Sequence, residues 1–365
     1  MRHDFRARLG RARQAASGLG WAGLVVPPGA DLRYLTGYAA IALERLTCLV
    51  VPGDGEPSMV VPRLERPAAE HSGAPVRIVD YPDGTDPYPL VVDLLGSGEA
   101  TAGIGERMWA SHLLALQDAL PKTRWQPAGQ VLGPLRARKT PDEVAALAEA
   151  GAAIDAVHEG MGRWLRPGRT EAEVAADIAT AIRDTGHATV DFVIVASGPN
   201  AASPHHGTSE RAIEPRDPVV VDIGGTMPSG YCSDCTRTYV AGGTAPPDFL
   251  DYYGVLQAAQ RAAVAAVTPG VSAESVDAAA RTPITAAGYG PAFLHRTGHG
   301  IGLSTHEDPY IVTGNTEPLA EGMAFSVEPG IYLAGRHGAR IEDIVVCTAT
   351  GVRRLNTTPT ELVRL

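Results

Sequence analysis

Asp222, Asp234, His299, Glu328 and Glu342 are side chains of the kind that hold metal ions. Each stands in a strand-like or glycine-flanked context: VVVDIGG, YCSDCTRTYV, HRTGHGIGLSTHE, AFSVEPG and ARIEDIVV. Buried without cations, four carboxylates and an imidazole would repel one another and lose hydration, which is costly. Two divalent cations would turn that cost into binding energy. Carboxylates dominate and thiolates are absent from the set, so a hard cation is expected. Mn2+ fits first, and the imidazole also admits Co2+, Zn2+ or Fe2+. Five ligands exceed an open single-zinc site and suit two ions about 3.5–4 Å apart, bridged by carboxylates. Such a pair acidifies a water and polarises a carbonyl oxygen, which is hydrolytic chemistry.

Further candidates surround these five. His295 precedes His299 by four residues, and His306 follows it by seven, in THEDP. The three suggest a ligand, a proton carrier and an orienting group. The glycines beside His299 allow unusual backbone angles or close approach. His205 and His206 lie in SGPNAASPHHGTSER, a loop composition on which functional groups are often mounted. Strand alternation puts Asp234 on one face with Thr236 and Thr238, whose hydroxyls are expected to orient its carboxylate. A hairpin through TMPSG would bring Asp222 and Asp234 onto one surface. Glu342, read within a strand ARIEDIVV, shares a face with Arg340. Cys232 and Cys235 form a C-x-x-C with no second pair to complete a zinc site, so they are read as ordinary thiols. There is no G-x-S-x-G elbow, no P-loop and no complete dinucleotide fingerprint.

The elements that must position these residues fall into two parts. The first alternates α and β. Residues 3–18 have helical spacing, then AGLVVPP, LTCLVVPG, SMVVPRL and VRIVDY read as strands, and 109–120 reads as a helix. A boundary is expected near 133–141, giving domains 1–135 and 136–365. There Thr140 is placed as an N-cap, Pro141 at the first helical position, and Asp142 and Glu143 in the first turn of a long helix. The second part contains a repeat. Residues 165–188 lie over 267–290 at a constant offset of 102, matching Pro167 to Pro269, Gly168 to Gly270, Thr170 to Ser272, Val174 to Val276, Ile182 to Ile284 and Gly186 to Gly288. Each copy is a PG turn, a capped helix and a glycine stop. Two similar α/β halves would meet at a cleft, with two ligands following the first copy and three the second.

Bulk properties exclude other classes. The chain of 365 residues has length for about two domains. A net charge of −10 without any basic run argues against a nucleic-acid surface. No stretch nears the roughly 20 apolar residues of a membrane span. The N-terminal MRHDFRARLGRAR has no apolar h-region, so a cytoplasmic location is expected.

With these motifs in place, the chain resembles the pita-bread metallopeptidases, in the branch of prolidase and aminopeptidase P. The matching strings are VVVDIGG, SDCTRT, HRTGHGIG with its later HE, SVEPG and RIED, over roughly 136–365. LRYLTGY at 32–38 resembles the N-terminal domain of the creatinase/prolidase branch. The resemblance implies an α/β (α+β) chain: an N-terminal creatinase/prolidase-like domain and a pseudo-symmetric catalytic domain. It implies that Asp222 holds a first ion, that Asp234 and Glu342 bridge both, and that His299 and Glu328 complete the second. Glu328 would also handle the proton of the attacking water, and His306 would contact the scissile peptide. His205, preferred to His206 by its place seventeen residues before Asp222, would be the cleft histidine. His295, Arg340, Tyr332 and His206 would lie around the metals and the substrate. The implied activity is hydrolysis of the Xaa-Pro bond, as an Xaa-Pro dipeptidase acting on proline-containing peptides in a homodimer. The alternatives are an Xaa-Pro aminopeptidase acting on longer peptides and a small-metabolite lyase or hydrolase. Two departures from the pattern stand out. The Asp222–Asp234 spacing is one residue long, so a bulge is expected in that hairpin. Tyr310 stands where some prolidases carry an arginine for the substrate carboxylate.

Overall fold

The computed structural model describes residues 4–365, and among these the chain forms ten α-helices and seventeen strands. It divides into two compact units, Met1–Arg136 and Ala137–Leu365.

The first unit runs α1 (Phe5–Gly18), β1 (Trp21–Val26), α2 (Ala30–Thr36), β2 (Cys48–Pro52), β3 (Ser58–Pro62), α3 (Arg66–His71), β4 (Arg77–Tyr81), α4 (Tyr88–Leu95), β5 (Ala100–Ile104), α5 (Ala110–Ala119), β6 (Thr123–Pro127) and α6 (Gly129–Ala137). The helix expected over 3–18 is α1, and His3 lies outside the described residues. The six strands form one mixed sheet in the order β4-β3-β2-β1-β5-β6. Strands β2 and β3, both interior to the sheet, are buried along their whole length, as suits their largely apolar runs.

The second unit runs α7 (Pro141–Glu159), α8 (Glu171–Asp184), β7 (Thr189–Ser197), β8 (Pro218–Thr226), β9 (Cys232–Val240), α9 (Pro247–Ala266), α10 (Ala273–Ala286), β10 (Gly298–Gly300), β11 (Glu307–Ile311), β12 (Ala324–Val327), β13 (Gly330–Leu333), β14 (His337–Arg340), β15 (Asp343–Thr348), β16 (Gly351–Arg354) and β17 (Val363–Arg364). Thr140 caps α7 in a full capping box with Glu143. The repeat is physical. Helices α8 and α10 have the same length at the same offset, and the matched Val174/Val276 and Ile182/Ile284 are all fully buried. Each such side chain contributes about 1.5–3 kcal/mol of burial. The two caps differ. Thr170 accepts from Glu173 N–H, whereas Ser272 makes no cap bond and its hydroxyl meets that of Ser275, 2.8 Å away. One half builds a core from α7 and α8 against β7–β9, the other from α9 and α10 against β12 and its neighbours. Among the described residues no helix is long and apolar enough to cross a membrane.

Two ladders set the site. Strands β8 and β9 pair without a register shift from Pro218↔Val240 to Thr226↔Cys232. The bulge expected there is absent. The additional residue is taken up in the loop 227–231, closed by Met227 N–H to Tyr231 O at 2.9 Å. The irregularity lies instead in β7, between Val190 and Phe192. The second ladder breaks in the middle. Strand β12 pairs with β15 as far as Val327↔Asp343, and β13 resumes with β14 at Gly330↔Arg340. The continuous strand read through ARIEDIVV is therefore interrupted at Ile341 and Glu342. Pro329 has no N–H to give the ladder, and Glu342 N–H turns to Thr236 O of β9 at 3.1 Å.

Candidate active site

The ladder break places Glu328 and Glu342 side by side on opposite arms. Asp222 and Asp234 project from one face of the β8–β9 hairpin, because Asp222 faces Thr236 and Asp234 faces Gly224 across an uninterrupted antiparallel register. His299 comes from the short β10, threaded between β11 and β12. Gly298 and Gly300 make that possible by close approach rather than by unusual angles: a Cβ on either would overlap the backbone of Ser326 or Asp308. These five residues line one cavity of about 630 Å³, with His205, His295, Arg296, His306, Arg340 and others. Asp234, His299 and Glu342 can offer ligand atoms within 4.8 Å of one another, and all three are buried. His299 Nε2 lies 3.2 Å from Glu328 Oε1 and 3.7 Å from Asp234 Oδ2.

The protonation pattern suits cations. His299 Nδ1 lies 3.1 Å from Gly300 O, which can only accept, so Nδ1 carries the proton and Nε2 presents a lone pair to the carboxylates. Burial, followed by the neighbouring His306, lowers His299 to about 3 and keeps it neutral. Asp222 Oδ1 and Glu342 Oε1 are buried with no hydrogen-bond partner among the described residues. Buried carboxylate oxygens are otherwise nearly always partnered. The hard donor set, the free imidazole lone pair and these two oxygens fit divalent metal ions.

Burial, and next the charge of Glu342, push Asp234 well above the usual carboxylate range. Burial, and next Glu328, do the same to Glu342. Burial lifts Glu328 from its ordinary 4.5 to about 7, against the opposing Arg340. A carboxyl whose folded value is raised binds more protons in the folded than in the unfolded state, so stability falls as pH rises through the window between the two values. The metal-free protein is accordingly expected to lose stability as pH rises from 4.5 to about 7, the window of Glu328. Metal ions displace those protons. The gap in Tm between metal-loaded and chelator-treated protein should therefore widen across that window. A gap that is constant with pH would contradict this.

Around the carboxylates, Arg340 is the organising cation. Its guanidinium donates to Asp222 Oδ2 at 2.6 Å, Tyr332 Oη at 2.8 Å, Thr236 Oγ1 at 3.2 Å and Pro204 O at 3.2 Å. The Arg340–Asp222 pair is almost wholly buried, and deleting one partner of such a pair costs about 3–5 kcal/mol. Tyr332 Oη lies 2.8 Å from His295 Nε2, and His295 Nδ1 lies 2.7 Å from Arg296 O. The direction of this chain is set: Arg340 donates to Tyr332, Tyr332 to His295 Nε2, and His295 Nδ1–H to the Arg296 carbonyl. Burial, and then Arg340, lower His295 to about 4, so it stays a neutral acceptor. Tyr332→Phe is expected to keep its metal and lose about tenfold in kcat/KM, the usual scale for a group that orients a ligand's partner. Unchanged kcat/KM would show that the chain does not orient Arg340.

Several sequence expectations are corrected here. Thr236 and Thr238 do not orient Asp234. Thr236 donates to Glu342 Oε2 at 2.8 Å, and Thr238 donates to Arg340 O at 2.8 Å. They pin Glu342 and Arg340 of the second half to the first half's strand. His206 is absent from the cavity wall, and its Nε2 lies 2.9 Å from the buried Glu171. His205 and His306 do line the cavity, and the His306 ring centroid is 3.9 Å from that of His299. Cys232 and Cys235, three apart on a strand, point to opposite faces and are unpaired.

Two arginines escaped the sequence reading. Arg237 is buried behind the site. It pairs with Asp343 at 2.7 Å and donates to Glu342 O and Thr358 O, so it fixes the backbone that carries Glu342. Arg296 lines the cavity with its guanidinium over the Tyr310 ring, 4.4 Å from the centroid. Among the described residues no carboxylate pairs with it. Its signal in the sequence was adjacency, since it follows His295 in the motif HRTGHG.

Comparison with known proteins agrees with this geometry. The model of Metallopeptidase family M24 matches residues 145–349, and that of the Creatinase/Prolidase N-terminal domain matches 8–138. A probable dipeptidase PepE of Mycobacterium tuberculosis is 52% identical over 362 residues, covering 98% of this chain and 96% of that one. An Xaa-Pro dipeptidase of Lactobacillus helveticus is 37% identical over 342 residues, covering 91% of each chain. The crystal structure of dipeptidase PepE from Mycobacterium ulcerans superposes with a TM-score of 0.94 at 53% identity, covering 100% of this chain and 99% of that one. With the carboxylate–histidine cluster at the junction of two similar halves, these matches show that the chain belongs to the M24 metallopeptidases, in the prolidase branch that carries the Creatinase/Prolidase N-terminal domain.

Proposed function

We propose that this M24 metallopeptidase is an Xaa-Pro dipeptidase. The observation that carries the reading is Arg296, a guanidinium without a carboxylate partner in the same cavity as the metal-ligand cluster. In a dipeptide the free carboxylate lies one residue beyond the scissile bond, and a planar fork of N–H donors suits it. Tyr310 does not remove the arginine from this cavity: it supplies the ring that supports one. The name of the Lactobacillus helveticus relative points the same way.

As an M24 metallopeptidase the protein works with divalent metal ions. We assign Asp222, Asp234, His299, Glu328 and Glu342 as the residues that would hold two such ions, with Mn2+ as the first candidate. When bound, the ions activate water and stabilise negative charge on the scissile oxygen. The remaining work falls to side chains. Glu328 takes a proton from the attacking water and returns it to the departing proline nitrogen. His306 and His205 donate N–H groups to the peptide backbone. His306 is neutral for that purpose, because burial and then Arg296 lower it. Arg296 holds the substrate carboxylate. His295, Tyr332 and Arg340 fix the direction of the Asp222 carboxylate. His206 acts from outside the cavity, through its loop. Domains 1–135 and 136–365, a homodimeric assembly and a cytoplasmic location complete the reading.

The test is incubation of the Mn-loaded protein with an Xaa-Pro dipeptide, an Xaa-Pro-Xaa tripeptide and an Xaa-Ala dipeptide. Cleavage of the Xaa-Pro dipeptide alone is expected. Cleavage of the tripeptide alone would make the enzyme an Xaa-Pro aminopeptidase. Cleavage of none, with metal bound, would point to a small metabolite.

A further inference from the structure

We propose that Glu171 is a positioning residue for His205: it clamps the loop 198–210 so that the His205 imidazole stays in the cavity. The inference rests on the peptidase reading of that cavity.

Glu171 opens α8 and is fully buried. Its Oε1 accepts from Ser197 N and Ser197 Oγ, both at 2.7 Å, and from Asn200 Nδ2 at 3.0 Å. Its Oε2 accepts from Ser209 Oγ at 2.6 Å, His206 Nε2 at 2.9 Å and Asn200 Nδ2 at 3.1 Å. These donors enter from the start, the middle and the end of one loop. All of them point N–H or O–H groups at a single carboxylate, and the α8 N-terminus adds a favourable field. An amide could not accept from them all, because its NH2 would face hydroxyl and imidazole donors.

The clamp matters because His205 has no tie of its own. Among the described residues its ring makes no hydrogen bond, although it lines the cavity. Its neighbours are held on both sides: Pro204 O accepts from Arg340 at 3.2 Å, and His206 reaches Glu171. His205 is thus suspended between one tie to the metal-ligand network and one to the helix. Away from Glu171, the loop is held by one small buried side chain, Ala201, near its start and by Thr208 Oγ1, which donates to Val193 O at 3.2 Å; neither reaches His205. A histidine that must meet a peptide backbone within a few tenths of an ångström needs an anchor.

The experiment measures hydrogen exchange in segment 198–210 of the full chain, in wild type and in Glu171→Gln, with α7 as internal reference. Kinetics on an Xaa-Pro dipeptide follow for Glu171→Gln, His205→Ala and the double variant. Exchange in the loop should accelerate at least about tenfold with α7 unchanged. kcat/KM should fall about 10–100-fold in the wild-type background and less than about twofold in the His205→Ala background. Should Glu171→Gln not fold, Ser209→Ala removes one donor and is expected to change both readouts in the same direction, less strongly. Unchanged exchange, or an equal kinetic loss in both backgrounds, would overturn the inference. A wild-type protein that cleaves no Xaa-Pro substrate would overturn the peptidase reading instead, and loop exchange would still decide the clamp.

Discussion

Asp234→Ala is expected to lose both metal ions and at least about 10³-fold in activity, while staying folded. Asp234 sits on the β8–β9 hairpin among Asp222, Glu328 and Glu342, and the last three all raise its pKa by repulsion, after burial itself. In the absence of metal the carboxylate is therefore a liability. Removing it relieves repulsion between like charges in a buried cluster. The metal-free variant should melt no lower than metal-free wild type, which separates loss of a ligand from loss of the fold. Wild type should gain Tm on adding Mn2+, because a ligand that binds only the folded state stabilises it. The variant should gain almost nothing. Metal per chain, Tm with and without Mn2+, and kcat are the three measurements. Retained turnover, or a Tm that still rises with metal, would remove Asp234 from the ligand set.

Arg296→Ala should raise KM for an Xaa-Pro dipeptide about 10–100-fold and leave kcat within about threefold. Hydrogen bonds to charged groups contribute about 1.5–3 kcal/mol, and every 1.4 kcal/mol is tenfold in affinity. The guanidinium already has its support in the Tyr310 ring, so little ordering remains to be done on binding. The discriminating substrate is the Xaa-Pro amide, which lacks the carboxylate. Wild type should prefer the acid, and the variant should treat acid and amide nearly alike. Arg296→Lys should fall between them, since lysine keeps the charge without the fork. An equal loss on acid and amide would mean that Arg296 does not read the carboxylate.

Much of the molecule was legible because the signals are short-range. The capping box of Thr140 and Glu143, the PG turns, and the buried stripe Val174–Ile182 with its copy Val276–Ile284 are each written within one helix length. Strand alternation put Asp222 and Asp234 on one face, and the hairpin agrees. The same alternation misled at Thr236 and Thr238. It reports which face a side chain occupies, and nothing about which group meets it there. Their partners, Glu342 and Arg340, lie more than a hundred residues away. The strand break at Glu342 was hidden for a related reason: the apolar residues Ile341, Ile344 and Val345 around it suit a strand, and it is Pro329 on the facing arm and the competing acceptor on β9 that interrupt it.

The ligand-type residues, their hard-oxygen character, the duplicated halves and the family are all readable from residue types at local spacings, because backbone geometry converts spacing into facing. Three features had to wait for the tertiary structure. Arg340 bridges Asp222 to Tyr332 and His295, Arg296 lies over Tyr310, and Glu171 gathers the loop that bears His205. Each joins side chains whose distance in sequence carries no information about their distance in space. Hydrogen bonds and charge contacts act over a few ångströms, so their partners are chosen only when the chain has closed on itself.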